Sequence, residues 1–269
     1  MRTKDYSKYK FNITKSPVDY RDWKVGAIFP KLVFPPELDY RVSFFPIRDQ
    51  EDTDECAAFG GAAMKEWQER IESNINEYLS PQFIYSNRED LTTGGMYTRD
   101  LMKILKEKGV CTELQFPFRT KGMPSVETYI QASKYKILNF ASVNTLDEAK
   151  TALFLNGPCV IAFPVYNYSE RFWHKLSGQQ LLGGHLVVLG GYIKEGLIIR
   201  NSWGTEWGIN GYSIMPYEDF GEQWEIWTTI DAKSIDPTPE PIPVPDPVPD
   251  PDPIPDPLPD RKGCLHKFW

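Results

Sequence analysis

Apolar positions change their spacing twice along the chain. From Cys56 onward, Phe59, Ala63, Trp67 and Ile71 fall four apart, which predicts a helix with one buried stripe. Asp52, Thr53 and Asp54 stand before it as N-cap residues. Gly60 and Gly61 cost such a helix roughly 1 kcal/mol each relative to alanine, so a second backbone is expected to pass close by. A second helix is predicted to start at Ser80-Pro81, with proline in its first turn. A third runs from Thr98 to Lys108 and stops at Gly109. Past residue 140 the pattern shortens. Cys159 to Val165, Leu186 to Ile193, Leu197 to Asn201 and Tyr212 to Met215 are brief runs of Val, Ile, Leu and Tyr between turn residues. Lys194-Glu195-Gly196 reads as a hairpin turn. Helices followed by strands indicate an α+β architecture.

Two segments stand outside this alternation. Residues 1–33 are polar and aromatic without a clear period, and are expected to run over the surface of a body they do not create. Residues 237–260 repeat Pro-Asp and Pro-hydrophobic pairs, a composition that favours polyproline II and a spacer of roughly 75 Å at about 3.1 Å per residue. Residues 261–269 form a basic-aromatic tip, for which the spacer is a tether toward an unknown partner. The body between them is taken as 34–236, mostly helical over 34–140 and mostly β over 141–236.

Charge and composition narrow the function. With 269 residues the chain can bury a substantial core. Its net charge of -7 argues against a general nucleic-acid binder. No apolar run of about 18 residues predicts a membrane span, and the polar start lacks the apolar stretch of a secretory signal. A protein kept in the cytoplasm, or released without such a signal, is expected. Among the four cysteines, Cys56, Cys111, Cys159 and Cys264, none form a CxxC pair. Cys159 and Cys111 read as structural, and no disulfide framework, metal or cofactor is expected. His174 and His266 read as structural or solvated, and Trp224 and Trp227 as packing.

Three segments carry the chemistry: Arg48-Asp49-Gln50 with Cys56 six residues after the glutamine, Gly183-Gly184-His185, and Asn201-Ser202-Trp203-Gly204. A thiol attacks as thiolate. A cysteine in the first turn of a buried helix gains from the helix dipole, and a histidine from elsewhere can take its proton. An amide such as Asn201 can hold the imidazole by accepting its other N–H. Gln50 can donate to an oxyanion beside the backbone N–H of Cys56.

These contexts resemble the papain family of cysteine peptidases, especially its bacterial-type members. Phe34 to Arg41 and Phe45 to Gln50 are similar to the start of the family's mature domain, and Leu79-Ser80-Pro81-Gln82-Phe83 to its second helix. Gly94-Gly95 resembles the paired glycines that bind substrate as an extended strand. Asn156-Gly157-Pro158 also fits, and Asn201-Ser202-Trp203-Gly204 with Trp207-Gly208 and Gly211-Tyr212 is the strongest match. The resemblance spans about residues 34 to 216. It implies two lobes, a helical left domain and a β-barrel-like right domain, with the active-site cleft between them. It implies a monomeric peptidase acting on extended peptides through a thioester, with Cys56 as nucleophile, His185 as base and acid, Asn201 as orienter and Gln50 as oxyanion donor. Trp203 would shield the His–Asn pair and Gly95 would pair with the substrate backbone, beside Gly94. Met96, Tyr97, Gly184 and Leu186 would form an apolar pocket for the side chain two residues before the cut. A silent peptide-binding relative and a transpeptidase are the alternatives.

The chain departs from the family at three points. Asp54-Glu55 replaces the usual Gly-Ser before the nucleophile and Ala57 the usual Trp after it, and the two acids are expected to raise the thiol pKa. Thr53 stands where the family has a cysteine. The first 33 residues are shorter than the usual helical propeptide, although Asp19-Tyr20-Arg21-Asp22-Trp23 resembles a leader of bacterial relatives; packing on the body, blocking the cleft and fraying are the open alternatives for it.

Overall fold

A computed structural model describes residues 4–30 and 32–231. In chain order the elements are β1 (Ile13–Thr14), β2 (Trp23–Lys24), the single turn α1 (Val25–Ile28) and β3 (Leu38–Asp39). The helical part follows: α2 (Cys56–Ser73), α3 (Pro81–Ser86), β4 (Met96–Tyr97), α4 (Thr98–Glu107) and α5 (Val126–Ala132). Then come β5 (Asn139–Val143), α6 (Leu146–Asn156), β6 (Cys159–Val165), β7 (Gly183–Ile193), β8 (Gly196–Arg200), β9 (Tyr212–Pro216) and β10 (Glu225–Ile230).

Eight strands form one sheet in the order β2-β5-β10-β6-β7-β8-β9, with β3 paired to β7. Every pairing is antiparallel except β2 with β5. The helices α2, α3 and α4 gather a separate core that includes Ala58, Met64, Phe83, Leu101 and Leu105. A second core, around Phe163, Phe172, Trp173, Leu189 and Ile199, lies within the sheet-rich part. These two cores are the two lobes expected of an α+β papain-like fold. Each fully buried Phe, Leu or Ile contributes about 1.5–3 kcal/mol through the water its surface sheds.

Helix α2 joins the lobes. A Cβ on Gly60 would overlap Leu186 of β7, and one on Gly61 would overlap Leu101 of α4. That is the close passage the two glycines predicted. Two details of this helix differ from expectation. Its N-cap is Glu55, with no side-chain cap hydrogen bond, because Asp54 is engaged elsewhere. Ile71 is 53% exposed, since the last turn of α2 runs past the sheet that covers Ala63 and Trp67.

Helix α6 interrupts the stretch read mostly as strands. Thr145 caps it by accepting from Glu148 N–H at 3.1 Å. The sheet also recruits strands from outside that stretch, β2 from the leader and β3 from the start of the body. The larger correction concerns residues 1–33. Tyr9, Phe11, Ile13 and Val25 are buried in the two cores, so this segment helps to build the body it was expected only to cover. Cys111 and Cys159 are buried and free. The proline-rich tail, its tip, Cys264 and His266 lie outside the described residues. Among the described residues, no helix is long and apolar enough to cross a membrane.

Candidate active site

The loop from Asp49 to Glu55 is strapped to the segment after β8. Gln50 N–H donates to the Ser202 carbonyl at 2.8 Å, and Ser202 Oγ donates to Gln50 Oε1 at 2.7 Å. Gln50 Nε2 donates to the Thr53 carbonyl at 3.2 Å, using one of its two hydrogens. Thr53 Oγ1 closes the loop by donating to the Gln50 carbonyl at 2.7 Å. These bonds deliver Cys56 to the first position of α2, where helix N–H groups lack intrahelical partners.

His185 enters from β7, paired with Phe163 of β6. Its Nε2 lies 2.8 Å from Asn201 Oδ1, which also accepts Ser202 N–H at 2.7 Å. A carbonyl oxygen only accepts, so Nε2 carries the proton and Nδ1 presents a lone pair. Nδ1 is buried without a hydrogen-bond partner. Trp203 stacks on the ring at 4.7 Å between centroids, and Phe172 meets it edge-on at 5.5 Å. Leu186, the residue after His185, is buried in one cluster with Cys56, and the main-chain amides of Leu186 and Ala57 favour the Cys56 thiolate. Thiol and imidazole thus belong to neighbouring points on opposite lobes.

Burial sets the protonation of both groups. It pushes the Cys56 thiol up to about 12, against the Leu186 and Ala57 amides, with the Asp54 charge adding to the rise. It pushes His185 down to about 4, against the Asn201 hydrogen bond. At neutral pH this closed arrangement holds a neutral thiol beside a neutral imidazole. Glu55, also buried, is itself pushed up to about 7 by loss of solvent, so the acid that directly precedes Cys56 in the chain carries less charge than its type suggests.

What closes the site is the leader. Phe11 carbonyl accepts Gly184 N–H at 3.3 Å, and Asn12 carbonyl accepts Met96 N–H at 3.2 Å. Asn12 bridges Gly184 and β1 pairs with β4, both in parallel sense. Residues 11–14 therefore lie between the expected glycine rim and the histidine strand. Phe11 packs edge-on to His185 at 5.9 Å, and Tyr9 stacks on Trp203 at 5.2 Å. Two carboxylates hold this segment. Asp49 accepts from Lys4 Nζ and from Tyr9 OH, each at 2.7 Å. Asp54 accepts from Asn12 Nδ2 and from Lys10 Nζ, the latter at 3.4 Å. Neither aspartate was singled out for this from the sequence, although Lys4, Lys8 and Lys10 in the leader are the basic partners such acids would need.

The expected substrate-binding residues fall into two groups. Met96 and Leu186 are buried in one cluster with Ile13 of the leader, and a Cβ on Gly184 would overlap the Ile13 carbonyl and the Trp224 ring. Gly95 passes close to Asn12, whose carbonyl a Cβ would meet at 3.2 Å. Tyr97, by contrast, is 39% exposed. Gly94 adopts φ +73°, beside Asp54. Among the described residues, no group of three or more His, Cys, Asp or Glu is placed to hold a metal ion. His174 is partly buried away from these contacts, its carbonyl accepting from Asn167.

The family model described as Papain family cysteine protease matches residues 34–228. The chain belongs to the papain family. Among curated relatives, the uncharacterized peptidase C1-like protein L477 of Acanthamoeba polyphaga mimivirus is 30% identical over 63% of this chain and 64% of that protein. Falcipain-2a of Plasmodium falciparum is 28% identical over 65% of this chain and 40% of its own length. The chain thus spans less than two thirds of these relatives. Xylellain, a cysteine protease from Xylella fastidiosa, has a crystal structure that superposes with a TM-score of 0.72 at 27% identity. That match covers 87% of this papain-family chain and all of xylellain.

Proposed function

We infer that the chain is a cysteine peptidase held in a latent state, with Cys56, His185, Asn201 and Gln50 as its catalytic residues. One observation carries this reading. A buried imidazole is fixed through Nε2 by Asn201 and keeps Nδ1 bare, while its strand neighbour Leu186 abuts Gly60 of α2 and is buried in one cluster with the helix-tip Cys56. In the reaction, Cys56 passes its proton to His185 Nδ1 and the sulfur attacks the peptide carbonyl carbon. The oxyanion takes the Cys56 N–H and the second Nε2 hydrogen of Gln50. His185 returns the proton to the departing amine as the C–N bond breaks, leaving a thioester. Water, deprotonated by the same imidazole, then releases the acid and restores the thiol. Trp203 keeps water from the His–Asn pair.

Residues 4–16 act as the latch of the latent state, and 34–236 form the peptidase domain. Removing Phe11 and Tyr9 from the cleft readmits water, which lowers the cost of charging both groups. The thiolate–imidazolium pair then forms with help from the α2 dipole. Ile13, buried against Met96 and Leu186, supports an apolar pocket for the residue two before the cut. Extended peptides are the proposed substrates, with Gly95 pairing to their backbone.

The test is a mass-spectrometric cleavage profile of a peptide library, with Cys56→Ala as control, beside the alkylation rate of Cys56 by iodoacetamide. Cleavage by the parent chain and none by the variant is expected. A thiol that reacts no faster than free cysteine after leader release, with no peptide cut, supports the silent binder instead. Added amine nucleophiles distinguish hydrolysis from transpeptidation by the products.

A further inference from the structure

Asp54 remains unexplained by the chemistry just described. It stands two residues before Cys56, and its side chain is 17% exposed, so it reaches the cleft rather than the core. Both its oxygens are occupied by leader side chains, Oδ1 by the Asn12 amide and Oδ2 by the Lys10 ammonium. The basic groups of the body nearest this loop are engaged elsewhere. Arg119 pairs with Glu51 and Asp52, and Arg88 lies over the Tyr85 ring, donating to the Tyr85 carbonyl. When the leader leaves, Asp54 therefore loses both of these donors together.

The position of this carboxylate along the cleft follows from two neighbours. A Cβ on Gly94 would lie 3.4 Å from Asp54 Oδ2, which sets Asp54 between the glycine rim and the thiol. The leader residue that reaches it, Asn12, immediately precedes Ile13, which is buried with Met96 and Leu186. An extended chain here thus offers one side chain to the apolar pocket and the adjacent one to Asp54. Phe11, on the other side of Asn12, packs on His185, so the Asp54 position lies between the apolar pocket and the imidazole. If the pocket takes the residue two before the cut, a substrate running opposite to the leader places the residue that supplies the scissile carbonyl at Asp54.

We propose that Asp54 makes the enzyme select a basic side chain, arginine or lysine, at the substrate residue whose carbonyl is attacked. The inference rests on the peptidase reading above. An ionised carboxylate stripped of its donors is restored by a cation, and a charge-assisted hydrogen bond of this kind discriminates by about tenfold or more against a neutral side chain. The leader's Lys10 and Asn12 occupy the same carboxylate in the latent state.

Fluorogenic peptides that share an apolar residue two before the cut and differ only in Arg, Lys, Gln or Glu before the reporter will test it. The full chain is used with Tyr9→Ala and Phe11→Ala to free the cleft. Arginine and lysine peptides are expected to exceed glutamine in kcat/KM by about tenfold. Asp54→Asn should bring that ratio close to one, and Asp54→Lys should invert it in favour of glutamate. Ratios are read within each enzyme, so a change in leader release cancels. Peptides cut with equal rates for Arg and Gln, or a ratio unmoved by Asp54→Asn and Asp54→Lys, overturn the inference and leave the peptidase reading standing. If no peptide of the set is cut while Cys56 stays slow to alkylate, both readings fall together.

Discussion

The two walls of the cleft are built by opposite means. The imidazole wall is aromatic and dry: His185 sits among Trp203, Phe172 and Phe11, and its one side-chain hydrogen bond runs to Asn201. The thiol wall is polar and acidic, a loop of Asp49 to Glu55 whose hydrogen bonds bind Gln50, Thr53 and Ser202 into one strap. The first wall fixes a ring by packing and leaves one nitrogen bare. The second fixes a backbone turn and leaves carboxylates free to grip something else, which here is the leader. Departures from the family pattern concentrate on the wall where binding partners are chosen, and spare the one where ring geometry is set.

Breaking either wall should produce effects of very different size. Cys56→Ala or His185→Ala should each abolish peptide cleavage, by roughly 10⁴-fold or more, with Cys56→Ala leaving the thermal midpoint near the parent value. Gln50→Ala should cost about 2.7–4 kcal/mol in the transition state, read as a fall in kcat, and should also loosen the strap to Ser202. Tyr9→Ala with Phe11→Ala acts in the other direction. Their rings cover Trp203 and His185, and their loss should raise Cys56 alkylation by about tenfold or more, since truncating one buried aromatic side chain costs about 3–5 kcal/mol. An unchanged alkylation rate would show that the leader does not limit access.

The smallest effect lies behind the thiol wall. Burial pushes Glu66 up to about 7, opposed by the Arg48 charge and the Leu79 amide. The folded chain then holds a proton that the unfolded chain has released, so this group's stabilisation is full below its ordinary value near 4.5 and is lost as pH rises through about 7. Glu55 shares that direction. His185 has the opposite one, costing stability as pH falls from 6.5 toward about 4. Between about pH 6.5 and 8 the tail of the His185 titration opposes the glutamates, so the urea midpoints of the parent and of Glu66→Gln are compared at both values, where the histidine contribution cancels. Glu66→Gln should flatten the decline between those two values, and a slope left unchanged would remove Glu66 from the account.

Much of this was legible along the chain because each chemical group came with its own local frame. His185 sits after two glycines at the head of a strand, and Asn201 directly follows the next strand of the hairpin. The glycine pair of α2 correctly announced a close approach. The sequence left the leader open between packing on the body, blocking the cleft and fraying, although Tyr9, Phe11 and Ile13 alternate like a strand face. Three such residues are too few for a periodic signal, and their burial comes from surfaces on both lobes. Helix α6 had a readable start, the Thr145-x-x-Glu148 box, but its residues Ala149, Ala152 and Leu153 lie in a stretch where short apolar runs suit either structure. The N-cap of α2 was misassigned because Asp54, a good capping residue in isolation, turns outward to Asn12 and Lys10.

Helix α2 and strand β7 touch where residue 60 has no side chain. That missing methyl group acts as a gauge block between two machined faces: the thickness left out at residue 60 sets how near residue 56 comes to residue 185, one position before the leucine that fills the gap. Alanine there would act as a shim, prying the reacting pair apart from a point that touches neither atom.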